Sequence, residues 1–213
     1  MKILLFCQYF YPEQFLINEI VQELSVLGHK VTVITGLPNY PSGVIDDSYK
    51  NNKRKHEQIF GAEVIRCPII ARGKNKLQLL LNYLSYMFLA KKEAFKLTND
   101  YDVVMLYEMT PITQAYPAIK YCRKKKKKLF MYNCDLAPMC GEEYLGSKGI
   151  FHRIYGAFSS WTMNGCDVIG VTSKSFIDYN NRVNKVPVDK MIYLPQHASD
   201  TMINLDKIGR AHV

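Results

Sequence analysis

Residues 16–36 read LINEIVQELSVLGHKVTVITG, and this stretch decides the fold. Leu16, Ile17, Ile20, Val21, Leu24 and Leu27 recur at three- and four-residue spacing, which puts them on one face of a helix. Gly28 ends that helix, because glycine takes the left-handed backbone of a helix terminus without steric cost. Gly28-His29-Lys30 then leads into Val31–Thr35, an apolar, β-branched strand. A helix that returns so quickly to a strand is the repeating unit of a parallel sheet. Outward from it, strand-length apolar runs recur at Ile3–Cys7, Glu63–Cys67, Val103–Leu106, Leu129–Asn133, Val168–Thr172 and Met191–Leu194. Most are unbroken rather than alternating, as in strands buried on both faces. Helical patterns cover 76–97, 112–123, 150–164 and 174–182. The alternation predicts an α/β fold with an open, doubly wound parallel sheet in one domain.

The composition agrees. The chain has 213 residues, 48% hydrophobic and 22% charged, with ordinary glycine and proline content, which excludes disordered and collagen-like classes. That length is enough for a well-buried core. No segment has the ~20 apolar residues of a spanning helix, and Ile3–Cys7 is far too short for a secretory signal. The six cysteines form no CxxC pair and no metal-like spacing with the five histidines, so free buried thiols in a reducing cytoplasm are expected.

In a doubly wound sheet, ligands bind beyond the carboxyl ends of the strands. That directs attention to Tyr9–Phe15, Gly36–Gly43, Tyr107–Pro111, Cys134–Tyr144, Thr172–Lys174 and Pro195–His197. The first of these has no GxGxxG and no P-loop, which argues against dinucleotide dehydrogenases and P-loop kinases. Within Tyr11-Pro12-Glu13-Gln14, Glu13 suits either substrate contact or the first turn of a helix, where its charge offsets the dipole. Gln14 has less structural reason to be there. Gly36–Gly43, with two prolines and two glycines, is either a plain turn or a rigid recognition loop carrying Asn39 and Tyr40.

The opening MKILLFCQYFYPEQFLINEIVQELSVLGHKVTVITGLPNYPSG resembles the start of a family 4 glycosyltransferase, in the group that assembles O-antigen, capsule and exopolysaccharide repeat units. Within that group it is similar to the fucosamine-transferase branch, where YPE, GHKVTVITG and LPNYPSG fall in this order. KKLFMYNCDLAP, CDVIGVTSKSF and VPVDKMIYLPQHASD extend the resemblance to about residue 206. It implies a two-domain GT-B enzyme, of which residues 1–206 are the Rossmann-like acceptor half and the donor half is absent. The implied reaction is retaining transfer of a sugar, of the N-acetylfucosamine type, from a nucleotide-sugar to a polyisoprenyl-diphosphate-linked saccharide. It also implies a peripheral location at the inner face of the cytoplasmic membrane, with no cofactor and no metal. Without the donor half, which neutralises the leaving diphosphate, the chain is expected to be nearly inactive.

Asp135 follows the fifth predicted strand, where the resemblance implies a residue beside the donor sugar. A carboxylate there is suited to hydrogen-bond sugar hydroxyls or to stabilise an oxocarbenium-like centre; an Asx turn before Leu136-Ala137-Pro138 is the structural alternative. Relatives often carry an aromatic at the position of Ala137. Glu108 is the second carboxylate candidate, against the reading of a solvated loop glutamate. Tyr11, Pro12, Glu13, Gln14, Asn39, Tyr40 and Thr172 complete the expected substrate contacts.

The net charge is +9, and most of the excess lies at Lys50–Lys55, at Arg72–Lys96 and at Lys120–Lys128. Within the second segment Leu77–Ala90 is very apolar and is flanked by Lys76, Lys91 and Lys92. It either lies in a membrane interface, with Tyr83, Tyr86 and Phe88 facing lipid, or is buried against the sheet. An anionic surface would add about 1 kcal/mol per nearby cation. Lys124–Lys128 suits a solvated helix end. No nucleic-acid recognition motif is present, so a nucleic-acid binder is the weaker alternative and nucleic acid is not an expected partner. A nucleotide-sugar epimerase of the same architecture is the other.

The last six residues, IGRAHV, depart from both the resemblance and the polar pattern before them. The codons ATC GGA AGA GCA CAC GTC would encode them and resemble the start of a sequencing adapter, so 207–213 is expected to be a non-native tail.

Overall fold

The computed structural model describes residues 1–142, 146 and 148–198; the tail at 207–213 and the end of the predicted 1–206 domain lie outside these. In chain order the elements are β1 (Lys2–Phe6), α1 (Ile17–Val26), β2 (Lys30–Gly36), β3 (His56–Ile59), β4 (Ala62–Cys67), α2 (Lys76–Ala94) and β5 (Val103–Glu108). Then follow α3 (Ala115–Lys125), β6 (Leu129–Asn133), α4 (Ile150–Asn164), β7 (Val168–Val171), α5 (Lys174–Asn184) and β8 (Met191–Tyr193). Among the described residues the strands form one sheet in the order β3-β4-β2-β1-β5-β6-β7-β8. All pairings are parallel except β3 with β4. This is the predicted doubly wound α/β sheet.

The unbroken apolar runs have the expected cause. Alternate residues of one strand point into two different cores: Leu4 and Phe6 join one, Ile3 and Leu5 the other. Ile34 faces the first core, whereas Val31 and Val33 face the second. The helix α1 covers the second face with Ile17 and Val21, both fully buried and each contributing about 1.5–3 kcal/mol. The first face is covered by α2 and α3, and α4 and α5 pack against it through Tyr155, Phe158, Trp161, Phe176 and Ile177.

Gly28 does end α1. Its φ is +80°, and the His29 amide reaches back to the Leu24 carbonyl at 3.0 Å. An added Cβ would meet nothing within 4 Å, so backbone handedness rather than space requires the glycine.

Two local expectations change. Strand β3 is a hairpin partner that the apolar pattern misses, because His56-Glu57-Gln58-Ile59 holds a single apolar residue. Its turn, Phe60-Gly61, has φ of 53° and 76°, the left-handed pair that suits a two-residue hairpin. Pro12 and Glu13 do not begin a helix, since α1 starts at Ile17. Pro12 is exposed and Glu13 is buried.

Candidate functional site

The chain leaves β1 and β5, which are adjacent, in opposite directions, and the crevice of a doubly wound sheet opens at such a switch point. Gln8, the second residue beyond β1, is buried there. Its amide donates to Gln114 Oε1 at 3.0 Å and its Nε2 to Asn82 Oδ1 at 2.7 Å. Its carbonyl accepts from the Gly36 amide at 3.0 Å and from Thr35 Oγ1 at 3.2 Å. One residue thus joins the exits of β1 and β2 to α2 and to the helical turn after β5. The approach is close at Gly36: an added Cβ would sit 2.7 Å from Ile69 Cδ1 and 3.0 Å from the Gln8 carbonyl, so a side chain there would make both give way.

One rim of the crevice is built on Glu13. Its carboxylate accepts the amides of Tyr40 at 2.7 Å, Asn39 at 2.8 Å and Phe10 at 3.3 Å. Burial raises the Glu13 pKa despite these three donors. The carboxylate therefore anchors the Gly36–Gly43 loop through the backbone of Asn39 and Tyr40. Asn39 is buried, and its Oδ1 accepts from the Arg72 amide at 2.9 Å and from Asn82 Nδ2 at 3.3 Å. Gln14 is exposed and donates to the Pro12 carbonyl at 3.2 Å.

Aromatic rings cover this rim. Tyr9 stacks on Phe15 with centroids 5.5 Å apart, and Tyr40 packs against both. The Arg72 guanidinium lies 5.3 Å from the centre of the half-exposed Tyr40 ring and donates to the Tyr9 hydroxyl at 3.1 Å. Tyr11 is also partly exposed, its ring edge-on to Phe60. Behind the rim, Arg66 is fully buried: it pairs with Glu57 at 2.5 Å and donates to the carbonyls of Tyr11 at 2.6 Å and Gly36 at 3.4 Å. Gln8, Tyr9, Arg66, Arg72 and Asn82 were not among the expected site residues. Asn82 was legible only as one of two amides, with Gln78, inside the apolar Leu77–Ala90 run; Arg66 gave no sign.

On the other side, Asp135 is half-buried, and its Oδ2 accepts the Thr110 amide at 2.6 Å. Glu108 is not a solvated loop residue: it ends β5 and is 1% exposed. Asn133 Nδ2 donates to both Glu108 Oε2 and the Asp135 carbonyl, each at 2.6 Å. Among the described residues Glu108 Oε1 has no partner. Burial holds the Glu108 pKa well above the usual carboxylate range, and the nearby Asp135 charge adds to the rise. The two carboxylates thus have distinct environments, one half-buried and bound to the half-buried Thr110, the other enclosed. A buried amide ladder backs them: Asn180 donates to Asn133 at 3.0 Å, and Asn184 donates to Asn180 and to the Ala137 carbonyl at 2.8 Å each. Thr172 is half-buried, and its amide reaches the Asn133 carbonyl at 3.3 Å.

Between α2, the turn after β5 and α4 lies a cavity of about 300 Å³. Leu77, Leu79, Leu80, Tyr83, Pro111 and Tyr155 make most of its wall, with Lys76, Thr110, Thr113 and Gly141 completing it.

Helix α2 is neither buried all round nor free of the sheet. Asn82, Tyr86, Ala90, Glu93 and Ala94 form its buried stripe. Tyr86, expected to face outward, is fully buried and donates its hydroxyl to the Ile34 carbonyl at 2.9 Å. Leu77, Leu80, Leu81 and Phe88 are exposed, as are Lys76 and Lys92, whereas Tyr83 and Lys91 are half-buried. Beside this face the amino groups of Lys91 and Lys120 lie 5.8 and 5.3 Å from the Tyr116 ring, and Arg123 lies 5.0 Å from Trp161. Within the lysine run, Lys127 pairs with Asp100 at 2.6 Å and Lys128 with Asp167 at 2.7 Å. No helix among the described residues is long and apolar enough to cross a membrane. The six cysteines are unpaired. Among the described residues no group of three or more His, Cys, Asp or Glu is arranged to hold a metal ion.

No family model matches the chain, and no curated protein does. Among solved structures it is similar to a glycosyltransferase from Rickettsia africae ESF-5, with a TM-score of 0.47 and 13% identity over 92% of this chain and 42% of that one. It is also similar to LpCGTa, solved in complex with UDP, with a TM-score of 0.47 and 12% identity over 95% of this chain and 55% of that one. The chain thus spans about half the length of the structures it matches.

Proposed function

We propose that this chain is the acceptor-binding half of a retaining, GT-B-type glycosyltransferase of cell-surface polysaccharide assembly, with Asp135 as the crevice carboxylate nearest the reacting sugar. The observation that carries the reading is the position of Asp135, at a strand exit beside the switch point and backed by a buried, hydrogen-bonded frame. The order of YPE, GHKVTVITG, LPNYPSG and NCDLAP along the sequence supports it. In this reading Asp135 hydrogen-bonds or stabilises charge at the donor sugar, and Glu108 holds the frame in which Asp135 sits. Tyr40 and Arg72, supported from behind by the buried Tyr9, form a stacking edge for the acceptor saccharide. The donor is a nucleotide-activated 6-deoxy-amino sugar bound through the second half, and the acceptor is a saccharide on a polyisoprenyl diphosphate. The lysines and exposed apolar side chains of α2, with the basic and aromatic side chains of α3 and α4, are the surface for an anionic membrane.

The test joins the chain to its donor half and supplies nucleotide-sugar with lipid-linked saccharide. Transfer to the acceptor supports the reading, whereas conversion of the nucleotide-sugar with no acceptor consumed makes the protein an epimerase. Flotation with anionic vesicles, set against retention on DNA at moderate salt, checks the membrane assignment.

A further inference from the structure

At the end of the sheet away from the crevice, a second cavity of about 400 Å³ opens beside the segment that joins α2 to β5. Its floor is one face of four strands. Lys2 stands two residues before Leu4, Thr32 two before Ile34 and Glu63 two before Ile65, and those apolar side chains all belong to the first core. Alternation therefore puts the three polar residues on that same face. Lys30 and Gln58 share it as the register partners of Lys2 and Glu63. A polar start to a sheet face calls for no ligand by itself, but the placing of the charges is unusual. Lys2 and Lys30 stand directly opposite each other on adjacent strands, and like charges so placed repel. Among the described residues neither lysine forms an ion pair. The carboxylates around them are held by other groups. Glu63 Oε2 accepts from Thr32 Oγ1 at 3.4 Å, Asp102 Oδ2 accepts the Lys2 amide at 2.7 Å, and Asp100 pairs with Lys127 at 2.6 Å. His29 completes the basic side of the cavity. Tyr101, on its wall, is 2% exposed, and its hydroxyl has no partner among the described residues.

We propose that this cavity binds a phosphate group between the ammonium groups of Lys2 and Lys30. Two opposed cations match a dianion, and a phosphate group carries close to two negative charges near neutral pH together with several acceptor oxygens. A carboxylate brings only one charge. Bound phosphate turns the repulsion between the lysines into two attractions. The site stands apart from the transferase reading and from the crevice, yet it is joined to the crevice by the same two strands. From Lys2 and Lys30, β1 and β2 lead to Gln8 and Gly36, where the Gly36 amide meets the Gln8 carbonyl at 3.0 Å. The ligand thus ties together the starts of strands whose far ends shape the crevice. Two sources share this chemistry: free phosphate, and a small phosphate ester whose hydroxyls meet Gln58, Asn99 and Glu63.

The probes are inorganic phosphate and glycerol phosphate, titrated calorimetrically into the full 213-residue chain at an ionic strength held constant with chloride. Saturable binding is expected, with a melting temperature that climbs with the logarithm of ligand concentration. Lys2→Gln and Lys30→Gln should each weaken binding at least about tenfold. Neither should lower the melting temperature of the unliganded chain, because each removes one of two opposed like charges. Lys53→Gln and Lys148→Gln, at exposed lysines outside the cavity, should bind as the wild type does. Equal affinity for the two probes supports the site with free phosphate as its ligand, and binding of glycerol phosphate about tenfold tighter supports it with an ester. Binding that survives in the Lys2→Gln, Lys30→Gln double variant would be general attraction to a chain of net charge +9 and would overturn the proposal. So would a loss of affinity in Lys53→Gln as large as in Lys30→Gln, or the lack of saturation with either probe.

Discussion

The Asp135 carboxylate accepts the Thr110 amide at 2.6 Å, across the gap between the loops leaving β5 and β6. This bond fixes one carboxylate oxygen against the protein. The same residue's carbonyl is held by Asn133, which also holds Glu108, so the loop carrying Asp135 is oriented through its backbone as well as its side chain.

Asp135→Ala, in the enzyme joined to its donor half, should lower turnover about tenfold or more with little change in acceptor KM. Asp135→Asn separates charge from geometry: it keeps an acceptor for the Thr110 amide and removes the anion. If Asp135→Asn restores full turnover, orientation of the loop is its role; if it matches Asp135→Ala, the charge is needed. Wild-type turnover in Asp135→Ala would remove the residue from the mechanism.

Glu108 should give stability an unusual pH dependence. Below an ordinary carboxylate value of 4.5, the folded and unfolded chains both hold its proton. Above that value the unfolded chain releases a proton that the folded chain keeps. Stability then falls by about 1 kcal/mol per pH unit until the raised folded value is passed. Glu108→Gln resembles the protonated side chain and has no proton to lose. Its stability relative to wild type should therefore rise as pH goes from 5 to 8, read as a growing difference in urea midpoint. Parallel curves would mean that Glu108 is ionised in the fold.

Glu13 is expected to act as the staple of the first rim. Glu13→Ala leaves the amides of Phe10, Asn39 and Tyr40 without their acceptor, and should cost about 2–3 kcal/mol in urea unfolding. Amide exchange at Asn39 and Tyr40 should quicken more than in the sheet. Glu13→Gln keeps one acceptor oxygen and should recover part of the loss; exchange unchanged in both variants would show that the loop holds itself.

Arg66→Met removes a buried guanidinium and leaves the mostly buried Glu57 with the longer 3.6 Å contact to Arg54. The expected loss is about 3 kcal/mol, with part regained when Glu57→Gln is added. Losses that simply add in the double variant would mean that the pair is not coupled.

Most of the sheet was legible because its strands are buried on both faces, so most of them read as apolar runs of strand length set between helical patterns. Strand β3 escaped because it pairs at an edge and needs little burial. The candidate site was legible only at the level of loops. Sequence position placed Asp135, Asn39 and Tyr40 at strand exits. It could not tell that Glu108, one residue from a polar-looking loop, is enclosed by Asn133 and the residues behind it. Nor could it tell that Tyr86 turns inward, because one helical stripe of α2 carries aromatic, amide and carboxylate groups alike.

The sequence by itself determined the order of the strands and helices apart from β3, the helix stop at Gly28 and the loops that meet at one end of the sheet. These follow from periodicity, backbone handedness and the rule that parallel strands need crossovers, all of which are local. The tertiary structure alone decided which polar side chains are buried and with whom: Gln8 with Asn82, Glu13 with Asn39 and Tyr40, Arg66 with Glu57, and Asn133 with Glu108. Such partners lie 9 to 74 residues apart, and no local pattern encodes them. The cost of leaving a buried polar group unpaired selects them only once the chain is folded.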